Sequence, residues 1–150
     1  MITSSALLNL KDMRAELNLS QSELAAMAGI SKRAVQSYEQ GWRKPPHTVE
    51  RILLLMLIAS RNGNNLATYC CWQHKECSPE VRSKCIAYVT RQGHLCWFLT
   101  GTMCEGQRQN TWADKLRLCI NCSFMQRLLS PHAAENGLIN ASRSDFTCKE

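Results

Sequence analysis

The chain has 150 residues, enough for one ordinary domain or two small ones, and a formal net charge of +6. The basic excess divides evenly between the two halves and suits a polyanionic partner, whereas all nine cysteines fall after residue 69, so the first half must fold by packing alone. The start shows no basic leader before an apolar run, and the apolar stretch from Ile52 to Ala59 is too short to span a bilayer, so the expectation is a cytoplasmic protein with no membrane partner.

Leu7, Leu10, Met13 and Leu17 recur every three or four residues, which predicts a helix with Lys11, Arg14 and Glu16 facing water. Asn18 tolerates the left-handed turn that follows. Ser20 and Glu23 have the spacing of a capping box, with Leu19 and Leu24 as an apolar clamp outside it, so a second helix starts at Gln21. Gly29 ends that helix and Ser31 caps the next. At about 100° per residue, Ala34, Val35 and Tyr38 gather on one side of this third helix, and Lys32, Arg33, Gln36, Ser37 and Gln40 gather on the other. Arginine binds guanine and glutamine binds adenine in bidentate fashion, serine is versatile, and lysine serves a base or a phosphate. Such a face has the chemistry of direct readout in a major groove.

Helix, glycine turn and a helix with a polar outer face make up the helix-turn-helix arrangement. The run from Leu17 to Ser31, followed by Val35-Gln36-Ser37-Tyr38-Glu39-Gln40-Gly41, resembles the Xre/Cro family of phage-repressor-like DNA-binding domains over roughly residues 6–60. The resemblance implies a lambda-repressor-like helical fold and double-stranded DNA as partner. It also implies that Gln21 grips a backbone phosphate, that Lys32, Arg33, Gln36 and Ser37 read bases, and that Arg43 and Lys44 lie along the flanking phosphates. Asn18 stands where the family usually has glycine, and Trp42 where its loop is often small and polar.

Pro45 and Pro46 break the chain, and Thr48 can cap a helix from Val49 to Ser60 whose stretch Ile52 to Ala59 is apolar all round. Three preceding helices cover one side of it, so the remainder is expected to meet a second copy of the chain or the cysteine-rich half. A homodimer also suits two operator half-sites. The polar run from Arg61 to Asn65 then reads as a linker, which divides the chain into a DNA-binding domain over 1–61, a linker over 62–69, a cysteine-rich domain over 70–129 and a loose tail over 130–150.

In the cysteine-rich half, Cys71-Trp72 and Cys96-Trp97 are each followed after a short loop by another cysteine, Cys77 and Cys104 respectively, which makes an approximate internal repeat. Together with Gly101-Thr102, Trp112, Lys115 and Cys119-Ile120-Asn121-Cys122, the pattern resembles small paired-Cys-Trp modules appended to regulators and signalling proteins of anaerobic and metal-reducing bacteria. Cytoplasmic thiols stay reduced, so this many cysteines argue for metal over disulfides. Soft thiolates match iron–sulfur centres or zinc, and a metal replaces the core that so small a segment cannot build. Cys71, Cys77, Cys85, Cys96, Cys104, Cys119 and Cys122 are the expected ligands. One Cys-x-x-Cys pair among irregular gaps fits zinc poorly, so an iron–sulfur cluster is the expected cofactor and zinc the alternative. Which four of the seven bind is open at this point. His74 and His94 read as surface residues, Trp72, Trp97 and Trp112 as packing, and Cys70 and Cys148 as spare thiols. Short helices are expected over 78–88, 112–118 and 122–129, with no strand.

The expected fold is therefore mainly α, a lambda-repressor-like helical DNA-binding domain plus a small irregular cysteine-rich metal-binding domain. The expected function is that of a sequence-specific transcriptional regulator whose cysteine-rich domain responds to metal or redox state. Two alternatives stand beside it: a metal-stapled domain that recruits a protein partner, and an iron–sulfur electron-transfer protein. No paired acid and base and no nucleophile with its histidine is recognisable, so no enzymatic function is expected.

Overall fold

The computed structural model of the protein describes residues 9–130, which are mostly helical. The chain divides into two compact units, Met1–Ser60 and Arg61–Glu150. Leu7, counted above in the first helical face, and the tail from residue 131 onward lie outside the described residues. Among the described residues no helix is long and apolar enough to cross a membrane.

The first unit is built on helices α1 (Leu10–Glu16), α2 (Gln21–Ala28), α3 (Lys32–Glu39) and α4 (His47–Asn62), the last two residues of α4 belonging to the second unit. Side-chain caps fix the helix starts. Asn9 Oδ1 accepts from the amides of Lys11 and Asp12 at 3.1 and 3.3 Å, which sets the start of α1 at Leu10. Ser20 Oγ accepts from the Glu23 amide at 3.1 Å while Glu23 Oε2 accepts from the Ser20 amide at 2.7 Å, a complete capping box. Asn18 and Gly29 provide the left-handed residues after α1 and α2, at φ +54° and +67°. Leu10, Met13, Leu24, Ala25 and Val35 are buried, and α3 packs on both α1 and α2. Truncating Leu24 or Val35, both at 0% exposure, removes contacts worth about 2–4 kcal/mol.

Helix α4 starts at His47, one residue before the expected cap Thr48, because the Pro46 carbonyl accepts from the amides of Val49 and Glu50 at 3.0 and 3.3 Å and opens the first turn itself. Its burial is one-sided. Val49, Leu53, Leu54, Leu57 and Ile58 are buried, whereas Ile52, Leu55 and Ala59 are half-buried and Met56 is 41% exposed. The apolar residues thus leave a stripe at positions i, i+3, i+4 and i+7 accessible to solvent.

The second unit contains α5 (Cys71–His74), α6 (Pro79–Lys84), α7 (Ile86–Val89), strands β1 (Thr102–Cys104) and β2 (Gln107–Gln109), and helices α8 (Trp112–Ile120) and α9 (Ser123–Leu129). Residues expected to form a linker are structured. Gly63–Thr68 is a 3-10 helix, and the preceding side chains Arg61 and Asn62 donate to the carbonyls of Leu129 and Leu128 at 2.8 and 2.7 Å, closing the C-terminal end of α9.

Two further departures from the expected elements have local causes. The single helix expected over 78–88 breaks at Cys85, whose backbone is extended (φ −91°, ψ 124°): Ile86 donates to the Gly101 carbonyl at 3.3 Å, and Cys85 Sγ accepts from the Met103 amide at 3.4 Å. A hairpin stands where no strand was expected, pairing Thr102 with Gln109, Met103 with Arg108 and Cys104 with Gln107. Its turn residues Glu105 and Gly106 both have positive φ, +52° and +74°, the geometry whose twist matches two antiparallel strands. Three-residue strands are too short to show an alternating pattern in sequence.

Candidate functional site

In the first unit the expected DNA-contacting residues gather on α3 and the start of α2. Ser31 Oγ accepts from the Ala34 amide at 3.1 Å and starts α3, and Val35, fully buried, fixes its inner side. Lys32 and Arg33 are exposed, Gln36 and Ser37 are half-buried, and Gln40 is exposed. Gln21, the first residue of α2, accepts at Oε1 from Gln36 Nε2 at 3.4 Å and donates from Nε2 to Glu39 Oε2 at 2.8 Å. A chain of polar contacts therefore joins a residue expected on a phosphate to one expected on a base. Beyond α3, Arg43 and Lys44 are exposed, Arg43 lies 5.9 Å from the Tyr38 ring centroid, and Trp42 is 77% exposed.

These contacts place a capped helix with an exposed cationic end immediately after a glycine turn. Residues 10–55 match the helix-turn-helix family model. The helix-turn-helix domain thus takes in α1 to α3 and most of α4, and it contains none of the cysteines. No curated protein and no solved structure matches the chain.

In the second unit, Cys71, Cys77, Cys85, Cys96, Cys104, Cys119 and Cys122 are free thiols, and all seven line one cavity of about 410 Å³. They reach it from different elements. Cys71 begins α5, Cys85 sits at the break between α6 and α7, Cys104 ends β1, Cys119 lies in the last turn of α8, and Cys122 precedes α9. The two Cys-Trp segments are held together by Gly93. A Cβ there would lie 2.8 Å from Trp72 Cζ3, 3.1 Å from the Cys71 nitrogen and 3.2 Å from Cys70 Cα, so only glycine fits without displacement. Trp72 and Trp97 are 2% and 1% exposed. The Trp72 ring meets Tyr88 edge-on at 5.0 Å, and Trp97 Nε1 donates to the His94 carbonyl at 3.1 Å. Neither His74 nor His94 lines the cavity; His74 Nε2 is 3.1 Å from Ser123 Oγ.

Burial makes several of these thiols weak acids. Cys96 is pushed well up by a hydrogen bond with Cys71 and by burial, with the charge of Cys122 adding and that of Lys115 opposing. Cys119 is pushed up to about 12 by burial, against Lys115 and with Cys96, Cys104 and Cys122. Cys77 is raised by burial and by Cys85 and Cys104. Among the described residues, no three of the histidine, cysteine, aspartate and glutamate side chains stand close enough to hold a single metal ion.

Sequence reasoning did not single out Lys115 as a site residue. It is 1% exposed, and its Nζ donates to Thr102 Oγ1 and lies 3.8 Å from Cys104 Sγ. The available signal was a lysine between Leu116 and Trp112 on the apolar face of α8, which helical spacing alone assigns to solvent as easily as to the interior. Cys70, expected as a spare thiol, is buried.

Proposed function

We propose that this protein is a sequence-specific DNA-binding transcriptional regulator of the cytoplasm, and that a metal centre in its cysteine unit makes DNA binding answer to metal or redox state. The observation that carries the DNA-binding reading is α3. Its Lys32 and Arg33 stand in solvent with Gln36 and Ser37 beside them, within a stretch that matches the helix-turn-helix family. In this reading α3 enters the major groove, Lys32, Arg33, Gln36 and Ser37 meet base edges, and Gln21, Arg43 and Lys44 meet phosphates. The Gln21–Gln36 contact supports it, because an amide already held by a phosphate-binding neighbour loses less freedom on meeting a base.

The accessible stripe Ile52, Leu55, Met56 and Ala59 on α4 supports association of two copies, each presenting one reading helix to successive half-sites about 34 Å apart. The convergence of seven free thiols on one cavity supports a thiolate-bound metal, and an iron–sulfur centre is read ahead of zinc because the sequence holds one Cys-x-x-Cys pair among irregular gaps.

The test is selection of duplexes from a random pool by the anaerobically purified protein. Binding of the selected site is then compared in the oxidised, reduced and metal-free forms. A selected palindromic site whose affinity falls with rising salt is the expected result for the first unit. An affinity that changes between the three forms is the expected result for the second. Failure to enrich any sequence at low salt removes the DNA-reading role.

A further inference from the structure

We propose that Trp42 is a DNA-contacting residue whose indole packs on deoxyribose faces at the edge of the groove entered by α3. The contact is apolar and adds affinity for every duplex alike. The inference rests on the DNA-binding reading given above and adds to it a contact of a different chemical kind from those to bases and phosphates.

The first support is the way α3 ends. Gly41, at φ +74°, donates to the Tyr38 carbonyl at 3.1 Å, and the Trp42 amide donates to the Ser37 carbonyl at 3.0 Å. This pair of bonds closes the helix as a Schellman motif, with glycine in the left-handed position and Trp42 directly after it. An apolar side chain in that place commonly packs back on the residues five and six earlier in the chain, here Ser37 and Gln36. Both are polar and expected to read bases, so they offer no apolar cover. Trp42 is accordingly 77% exposed, the most exposed large apolar side chain among the described residues. The backbone thus holds an uncovered indole one hydrogen bond away from a reading residue.

The second support is the charge of the surrounding segment. From Ser31 to Thr48 the lysines and arginines are Lys32, Arg33, Arg43 and Lys44, all exposed, and the single carboxylate is Glu39, which is taken by Arg14 and Gln21. An aromatic surface set among cations matches a polyanion. The same cations oppose a second copy of this basic chain, so DNA is the occupant that the charge selects.

The third support is distance along the helix. From Lys32 to Glu39, α3 has eight residues and is about 12 Å long. Base-reading residues of such a helix lie toward its start, and the major groove of B-DNA is about 12 Å wide. With Lys32 and Arg33 on base edges, Trp42 at the far end meets the wall of the groove. There the sugars present apolar faces between the phosphates that Arg43 and Lys44 meet.

The experiment titrates the full chain against two labelled duplexes, the one selected from the random pool and a shuffled one of the same length, at several salt concentrations. Trp42→Ala is expected to weaken both by about tenfold. The slope of log affinity against log salt is expected to keep its wild-type value, because an indole displaces no counterion. Trp42→Phe is expected to regain most of the loss. Acrylamide quenching of tryptophan fluorescence is read in parallel. Trp72, Trp97 and Trp112 are buried, so the strongly quenched fraction belongs to Trp42. That fraction is expected to be absent from Trp42→Phe and to disappear from the wild type at saturating duplex. A wild type that binds neither duplex overturns the underlying DNA-binding reading. A fraction that stays quenchable in the bound wild type, full affinity in Trp42→Ala, or a loss in that variant with a shallower salt slope overturns the indole contact alone. So does an indole shielded before any duplex is added and released on dilution, which puts it against another copy of the chain.

Discussion

The Arg14 guanidinium meets the Glu39 carboxylate at two points, Nε to Oε1 at 2.5 Å and Nη2 to Oε2 at 3.2 Å, and so ties α1 to the last turn of α3. Arg14 also donates to the Leu19 carbonyl at 2.8 Å, and Glu39 also accepts from Gln21. One ion pair therefore sets both the tilt of α3 and the position of the first side chain of α2.

Burial works against ionisation of Glu39, yet hydrogen bonds from Arg14 and Gln21 and the charges of Arg14 and Lys11 hold its carboxyl below the ordinary range. A carboxyl depressed in the folded state contributes stability above its unfolded pKa of about 4.3 and loses it as pH falls through the lower folded value. Glu39→Ala is expected to lower the opening free energy of α1 to α3 by about 1–3 kcal/mol near neutral pH, read as faster amide hydrogen exchange. The difference between variant and wild type is expected to shrink as pH falls below about 4.

Base reading and phosphate binding separate by mutation. Arg33→Ala and Gln36→Ala are each expected to relax discrimination at one or two base pairs by about 1–3 kcal/mol. Lys44→Ala is expected to weaken all duplexes alike and to reduce the slope of log affinity against log salt by about 1. Titrations of the selected site and its single-base variants at several salt concentrations check both. Unchanged sequence preference in the first two variants removes the assignment of α3 as the reading helix.

How far the sequence foretold these features depends on how local their causes are. Ser20 with Glu23, Asn18 and Gly29 act within one turn of chain, so caps and turns were readable from the letters, and the capping box formed as expected. The exposure of Lys32 and Arg33 follows from helical spacing alone. The break at Cys85 depends on Gly101 and Met103, far along the chain, and could not be seen locally. The hairpin was hidden because Glu105-Gly106 lacks the usual asparagine or aspartate before the glycine. The shared cavity was likewise out of reach, since seven spacings do not say which elements fold back on which. Lys115 was missed for a related reason: its burial depends on Thr102 across the hairpin, not on its neighbours in α8.

The accessible stripe of α4 gives a direct test of self-association. Met56, 41% exposed, can accept a charge without loss of the fold, because its side chain is not needed for the buried side of the helix. Met56→Glu is expected to turn a dimer into a monomer in sedimentation velocity and to weaken binding to a two-half-site operator far more than to a single half-site. A wild type that sediments as a monomer at tens of micromolar removes the proposed pairing.

Gly93 makes the assembly of the thiol unit testable without touching a cysteine. Its backbone lies against the Cys71 nitrogen and Cys70 Cα, two main-chain neighbours that cannot swing aside as a side-chain tip can. Gly93→Ala is expected to destabilise the second unit by about 1–3 kcal/mol through overpacking, and to make the thiols of Cys71 and Cys96 react faster with a neutral disulfide reagent. DNA binding by the metal-free protein is expected to be unaffected, because α3 belongs to the other unit.

The raised thiols predict how the metal-free form responds to alkali. Cys119 ionises at about 12 in the folded chain against an ordinary value of 9.0, because burial disfavours its thiolate, and Cys96 is shifted in the same direction by its bond to Cys71 and by burial. The unfolded chain releases these protons first, so the stability contributed by the neutral thiols is complete below pH 9.0 and is lost progressively as pH rises toward about 12. Urea unfolding of the metal-free protein, followed through the buried Trp72 and Trp97, is expected to show a falling midpoint across that window. Cys119→Ala is expected to flatten part of the fall. In a thiolate-bound metal centre the protons are already gone, so the loaded protein is expected to keep its midpoint over the same range. A metal-free midpoint independent of pH from 9 to 11 contradicts the burial of these two thiols.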